Sequence, residues 1–284
     1  MQIGIGLPNA VPGTDGPRLI EWARRADAGP FTSLGVLDRL AYASYDPLTA
    51  LAAAAAVTRR VRLVTMIVIG PLRNTLLLAK AAASVDALSG GRLTLGLAVG
   101  ARRDDYEAAG IDYHTRGARL TEQLAALRDA WEDTGIMPQQ AGGPPLLIGG
   151  LSDQGFGRMA RCADGYVHGG GPPKTFARAA DKARAAWSDA GRPGQPQLWA
   201  QGYFALGDEA AEAGTRYLRD YYAFTGPFAE KIAAGLLTTP QAIAQFLRGY
   251  EEAGCDEMVL LPTSADLDQL EQLAAVLEGL GRPA

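Results

Sequence analysis

The chain alternates between short apolar runs rich in β-branched residues and longer stretches whose apolar positions recur every three or four residues. Leu63 to Gly100 shows both. Leu63–Ile69 is an almost unbroken apolar run, the pattern of a strand buried on both faces of a parallel sheet, and Gly70-Pro71 stops it. From Thr75 onward Leu77, Leu78, Ala81, Ala82, Val85 and Leu88 fall on one face of a helix. Ser89-Gly90-Gly91 ends that helix, because glycine accepts the left-handed conformation of a helix C-terminus. Leu93–Val99 is a second buried strand, closed by Gly100.

Extended along the chain, the pattern predicts strands near Ile3–Leu7, Ser33–Leu37, Val61–Ile69, Leu93–Val99, Leu146–Gly149, Gly165–His168, Leu198–Leu206 and Glu257–Leu261. Between them it predicts helices over Pro17–Ala28, Pro47–Thr58, Leu76–Leu88, Arg116–Asp133, Gln154–Cys162, Phe176–Ala190, Glu209–Ala223, Pro240–Ala253 and Leu267–Leu280. Alternating strands and helices imply an α/β fold. The count alone leaves a closed (β/α)8 barrel and an open doubly wound sheet both available. No Pro-, Gly- or Ser-rich linker interrupts the pattern, so residues 1–284 are expected to form one domain. Tyr217 to Leu237 is the least regular part, with Tyr217, Tyr221, Tyr222, Phe224 and Phe228 around Gly226-Pro227. Its aromatics either cap a site or pack an extra helix against the body of the fold, the second being slightly favoured.

Composition narrows the function classes. With 284 residues, 48% of them hydrophobic, the chain can bury a large core. A formal net charge of −4 and no basic run argue against nucleic acid as the main partner. No apolar stretch is long enough to span a bilayer, and the chain opens directly on a strand, so a soluble cytoplasmic protein without a signal peptide is expected. Two cysteines far apart, Cys162 and Cys255, and two histidines offer neither a disulfide framework nor a zinc site.

The sequence resembles the bacterial luciferase-like oxidoreductases. The resemblance rests on Pro71-Leu72-Arg73 after a strand, on Ala83-Ser84-Val85-Asp86-Ala87-Leu88-Ser89-Gly90-Gly91-Arg92, and on Leu95-Gly96-Leu97-Ala98-Val99-Gly100. Further matches lie from Tyr106 to Glu122, at Ile148-Gly149-Gly150, at Ala163-Asp164-Gly165-Tyr166 and near the C-terminus. It implies a (β/α)8 TIM barrel that uses reduced F420 or FMN, acts on a small organic substrate, and in the FMN case works with a separate reductase. It also implies a homodimer joined through the helices after strands two and three; a monomeric mass by light scattering would exclude that. Relative to longer members, the connection from Asp133 to Pro144 is short, which would leave the site more open.

In a (β/α)8 barrel chemistry sits at the C-terminal strand ends. Asp86 and Arg92, at the opposite face, are therefore expected to be structural and to form a pair. The resemblance places a non-proline cis peptide at Met66-Ile67, behind the flavin ring, where the family usually carries a smaller residue than Met66. It places the cofactor phosphate on Gly150, Leu151 and Ser152, where a glycine turn meets a helix N-terminus, with Gly100 and Gly149 as further cofactor-binding residues. Asp38 is a candidate base and Arg39 a cationic partner, the alternative being an ion pair between the two that only braces the loop. His168, the one histidine at a predicted strand end, is the candidate for proton transfer. Some F420-dependent relatives carry a histidine and a glutamate where Arg39 and Ala101 stand, so a sugar-phosphate dehydrogenase mechanism does not transfer. Asp38-Arg39-Leu40 leans toward the F420-using branch; an FMN-dependent monooxygenase and a non-catalytic flavin-binding barrel are the alternatives.

Overall fold

Each predicted apolar run becomes a parallel strand. The computed structural model describes residues 1–133 and 138–281. Its strands are β1 (Gln2–Gly6), β2 (Ser33–Val36), β3 (Arg62–Thr65), β4 (Val68–Ile69), β5 (Leu93–Ala98), β6 (Leu146–Gly149), β7 (Gly165–His168), β8 (Gln197–Phe204) and β9 (Glu257–Pro262). β3 and β4 are two halves of one stave and both pair with β5, while β9 pairs with β1. The sheet therefore closes into an eight-stave (β/α)8 barrel, and the open-sheet alternative falls away.

The helices are α1 (Gly16–Ala28), α2 (Pro47–Val57), α3 (Thr75–Ser89), α4 (Arg103–Ala108), α5 (Arg116–Asp133), α6 (Asp153–Cys162), α7 (Pro173–Asp189), α8 (Asp208–Tyr221), α9 (Phe228–Ala233), α10 (Pro240–Glu252) and α11 (Leu267–Gly279). Asp15, Asp46 and Asn74 accept the first-turn N–H groups of α1, α2 and α3, which sets where those helices start. α4 and α9, six residues each, escaped the periodicity, since one and a half turns give it too little to repeat. Part of the Asp133–Pro144 connection lies outside the described residues.

Strand alternation divides the apolar residues into two layers. Val64, Met66, Leu147, Val167, Trp199 and Val259 fill the inside of the barrel. Leu34, Leu63, Leu95, Tyr166, Leu198 and Leu260 face outward and pack under the helices. One expectation changes at the third stave, which is not continuous over Val61–Ile69 but breaks between β3 and β4, where the Met66–Ile67 peptide is cis. Two glycines make room there. A Cβ on Gly96 would lie 2.2 Å from the Thr65 carbonyl oxygen, and one on Gly35 would lie 3.1 Å from the Met66 Cγ. Gly35 thus leaves room for the Met66 side chain.

The Ser89–Arg92 string lies on the N-terminal face, as expected, but Asp86 and Arg92 do not pair. Asp86 accepts hydrogen bonds from the Gln140 N–H (2.8 Å) and side chain (2.7 Å). Arg92 donates to the carbonyls of Ser89, Val61 and Thr58 at 2.6–3.0 Å. Each fastens a different loop. At the other end, α8 crosses the mouth: Leu218, Tyr221, Ala233 and Leu236 join the interior cluster with Trp199 and Tyr203.

Candidate active site

A cavity of about 350 Å³ opens at the C-terminal ends of the staves. Its floor and one wall are nearly free of long side chains: Ala98, Gly100, Ala101, Gly149, Gly150 and Gly169 expose backbone. Met66 and Ile67 line it as well, and Tyr221, Tyr222 and Phe224, at and just after the C-terminal end of α8, form its roof. The aromatic segment therefore does both things the sequence allowed, packing into the barrel and capping its mouth.

Asp38 and Arg39 both line the cavity, but they do not pair with each other. Asp38 accepts from the Ile69 N–H (2.9 Å) and from Arg73 (3.0 Å), and Arg73 also meets Asp46 (2.8 Å). The arginine of the Pro-x-Arg loop is thus the partner that sequence adjacency assigned to Arg39. Burial pushes the Asp38 carboxyl above its ordinary range, with the Arg73 charge and the Ile69 N–H pulling the other way. Both carboxyl oxygens are engaged, so Asp38 holds β4 against β2 and is poorly placed to take a proton.

Arg39 turns toward the roof. Its guanidinium lies 4.4 Å from the Tyr42 ring centre and 5.0 Å from that of Tyr221. It donates to the Tyr221 carbonyl (3.4 Å), and Arg102 donates to the same oxygen (3.0 Å) while stacking 4.4 Å from Phe224. Two cations at the C-terminal carbonyl of α8 complement the negative end of that helix. Asp105, fully buried, sits between them: its Oδ2 lies 3.7 Å from Arg39 and 3.8 Å from Arg102, while its Oδ1 accepts from the N–H groups of Leu40 (3.1 Å) and Ala41 (2.7 Å). Asp104 lies 2.5 Å from Arg102 and 3.8 Å from Arg39. The arginines latch the roof, and their charges are met within the chain. Arg103 points away, 4.5 Å from the Tyr113 ring.

The residues expected to hold the cofactor divide into two sets. Met66, Ile67, Gly100, Gly149 and Gly150 line the cavity. Leu151 is exposed, and Ser152 caps α6, accepting from the Gly155 N–H at 3.2 Å. A flat ring system fits the backbone-lined wall, where any Cβ on Gly100 would strike Ile69 (2.8 Å). The α6 N-terminus beside Gly150 and Ser152 suits a phosphate.

His168 is turned the other way. It ends β7, whose Val167 and following Gly169 face the cavity, so strand alternation sends the imidazole outward. Its Nδ1 lies 3.1 Å from the Tyr166 hydroxyl and its ring packs 5.6 Å from Phe176 of α7. Burial holds its pKa down to about 4, and a proton-transfer role at the mouth does not survive this placement. Reading position 168 against the period of two from Val167 would have revealed it.

Sequence reasoning missed Asp105, Arg73 as the partner of Asp38, and Gln201. Gln201 lines the cavity and donates to the Gly169 carbonyl at 3.3 Å. No quoted motif holds Asp105 or Gln201, and the Pro-x-Arg motif holds Arg73 without naming its partner; Asp38 lies 35 residues before Arg73, Arg39 lies on a loop far from Asp105 in sequence, and Gly169 follows the stave beside that of Gln201.

An uncharacterised protein of Mycobacterium tuberculosis is 30% identical to the chain over 215 residues, covering 63% of this chain and 74% of its own length. An F420-dependent secondary alcohol dehydrogenase, solved with an F420–acetone adduct, superposes with a TM-score of 0.80 at 17% identity over 97% of this chain and 98% of its own. The oxygenating constituent of 3,6-diketocamphane monooxygenase from Pseudomonas putida, solved with FMN, superposes with a TM-score of 0.74 at 16% identity over 98% and 96%. Residues 1–276 match the family model described as luciferase-like monooxygenase, and the chain belongs to that family.

Proposed function

We propose that the chain is an oxidoreductase that holds reduced F420 across the barrel mouth and acts on a small organic substrate beneath the α8 roof. One observation carries the reading: Ala98, Gly100, Gly149 and Gly150, with almost no side chain, line one cavity together with Met66 and Ile67, and Gly150 stands two residues before Ser152, the N-cap of α6. The wall would take a planar ring, and Gly150 with Ser152 the phosphate. When bound, the deazaflavin supplies or accepts a hydride. The chain's own groups orient and enclose: Arg39 and Arg102 hold the roof closed, Tyr221, Tyr222 and Phe224 exclude water, and Asp38 with Arg73 keeps β4 in register. F420 is favoured over FMN by the Asp38-Arg39-Leu40 turn. FMN is the second reading, supported by the likeness in fold to an FMN-bound oxygenating constituent; it would bring oxygen consumption and a separate reductase.

The test is a parallel equilibrium titration of the purified protein with F420 and with FMN in both redox states, with oxygen uptake followed during turnover. Micromolar binding of F420 without oxygen uptake is expected. Tighter binding of FMN with oxygen uptake would replace the reading by the monooxygenase. Binding of neither would leave a non-catalytic barrel.

A further inference from the structure

Among the described residues, three buried polar atoms of the cavity lining have no hydrogen-bond partner: Arg39 Nε, Arg102 Nε and Gln201 Oε1. The two arginine atoms have an acceptor waiting. They stand 3.7 and 3.8 Å from Asp105 Oδ2, which is itself unpartnered, so a small movement of the roof joins them. Gln201 Oε1 is the acceptor left over. Its side chain is 6% exposed, and the amide is fixed in direction: Nε2 donates to the Gly169 carbonyl at 3.3 Å, and a reversed amide would set oxygen against oxygen. Trp199 and Tyr203, two residues to either side on β8, belong to the interior cluster, so the period of two turns Gln201 inward as well. The space beside it is open, since a Cβ on Gly169 would meet nothing within 4 Å. A buried acceptor without a partner costs free energy that a ligand's donor can return.

The place of Gln201 in the barrel says which ligand it meets. With β3 and β4 counted as one stave, β8 is the seventh, and the third, carrying Met66 and Ile67 at its break, lies diametrically opposite in the closed order. Ala98 and Gly149 end the fourth and fifth staves, with Gly100 and Gly150 just beyond. A ring held on those residues and on Met66–Ile67 occupies one half of the mouth, and Gln201 stands on the other.

We infer that Gln201 is a specificity-determining residue of the substrate half of the mouth, and that the substrate presents an O–H or N–H donor to its Oε1. A compound of the same shape whose polar atom only accepts would set its oxygen against Oε1 and bind less tightly. The assignment to substrate rather than cofactor rests on the cofactor reading above; the unpartnered acceptor itself does not.

The test titrates cofactor-free protein with cyclohexanol and, separately, with cyclohexanone, rings of similar size of which only the alcohol carries a donor, and reads both dissociation constants from NMR chemical shifts. The wild type is expected to bind the alcohol about fivefold or more tightly than the ketone, the worth of one hydrogen bond. Gln201→Met keeps the length of the side chain and removes the acceptor, and should bring that ratio to about one. The ratio is the readout because a general loosening of the mouth would weaken both ligands alike. If Gln201→Met does not fold, Gln201→Asn, whose oxygen is withdrawn by one methylene, is held to the same expectation. No binding of the alcohol, no preference for it in the wild type, or a preference that survives the substitution would each overturn the assignment. Titration of the same variant with F420 and FMN separates the two sources of a donor: a loss of cofactor affinity with the alcohol preference intact would give Oε1 to an N–H of the cofactor and overturn the substrate assignment. Failure of F420 and FMN to bind the wild type would defeat the cofactor reading alone, since the alcohol-to-ketone ratio is measured without either.

Discussion

At the scale of single residues, burial decides which groups are available for chemistry. His168 is 2% exposed and held to a pKa of about 4, against an ordinary value of 6.5, so the folded protein keeps it neutral. The sign follows from linkage. The unfolded chain takes up the proton first as pH falls, so the stability tied to this residue is intact above pH 6.5 and drains away between 6.5 and about 4. A depression of this size is worth about 3 kcal/mol. Urea denaturation near neutral pH and again near pH 4.5 should show the wild type losing about 2–3 kcal/mol more than His168→Gln. Equal losses would mean that the imidazole is not the buried group responsible. Asp38 obeys the same logic, locked by the Ile69 N–H and the Arg73 guanidinium.

At the scale of elements, loops set the site and strands set the direction of its side chains. Seven of the eight staves begin and end within two residues of where alternation places them, because their apolar runs are bounded by Gly, Pro or charge. The third stave departs because its kink depends on Gly35 and Gly96 in neighbouring strands, which a pattern along one segment cannot report. The same limit explains the site. Arg39 and Asp38 were legible as mouth residues from the strand end, but their partners, Asp105 and Arg73, come from other loops. The loop after β7 offers a direct check. A Cβ on Gly169 would meet nothing within 4 Å, its φ is not in the left-handed region, and the residue borders the cavity. Gly169→Val should therefore fold with an unchanged melting temperature while losing about tenfold or more in affinity for the cofactor, since bulk enters the space a ligand needs. Retained affinity would show that the ligand does not approach β7.

At the scale of the whole molecule, the two ends of the barrel divide stability from binding. The mouth is roofed by an α8 held through hydrogen bonds to one carbonyl and ring contacts. The opposite end carries a charge pair between a buried carboxylate and a partly exposed arginine. There Glu257, at the start of β9 and 1% exposed, is met by Arg62 of β3 and accepts from the Thr32 hydroxyl at 2.9 Å. Arg62 spans the interior, its guanidinium 4.7 Å from the Trp199 ring centre and 2.8 Å from the Gln2 side chain, so it ties four staves together. Arg62→Met would leave a buried carboxylate facing an apolar chain. With the Arg62 side chain 40% exposed, solvent screens the pair, so the loss should be about 1–2 kcal/mol, read by urea unfolding. Because Arg62 belongs to the N-terminal face, the dissociation constants for F420 and FMN should stay within about twofold of wild type, well under the tenfold that 1.4 kcal/mol represents. A variant that lost affinity in proportion to stability would show that the two ends are coupled through the staves, and the barrel would then have to be treated as one cooperative site rather than a scaffold carrying one.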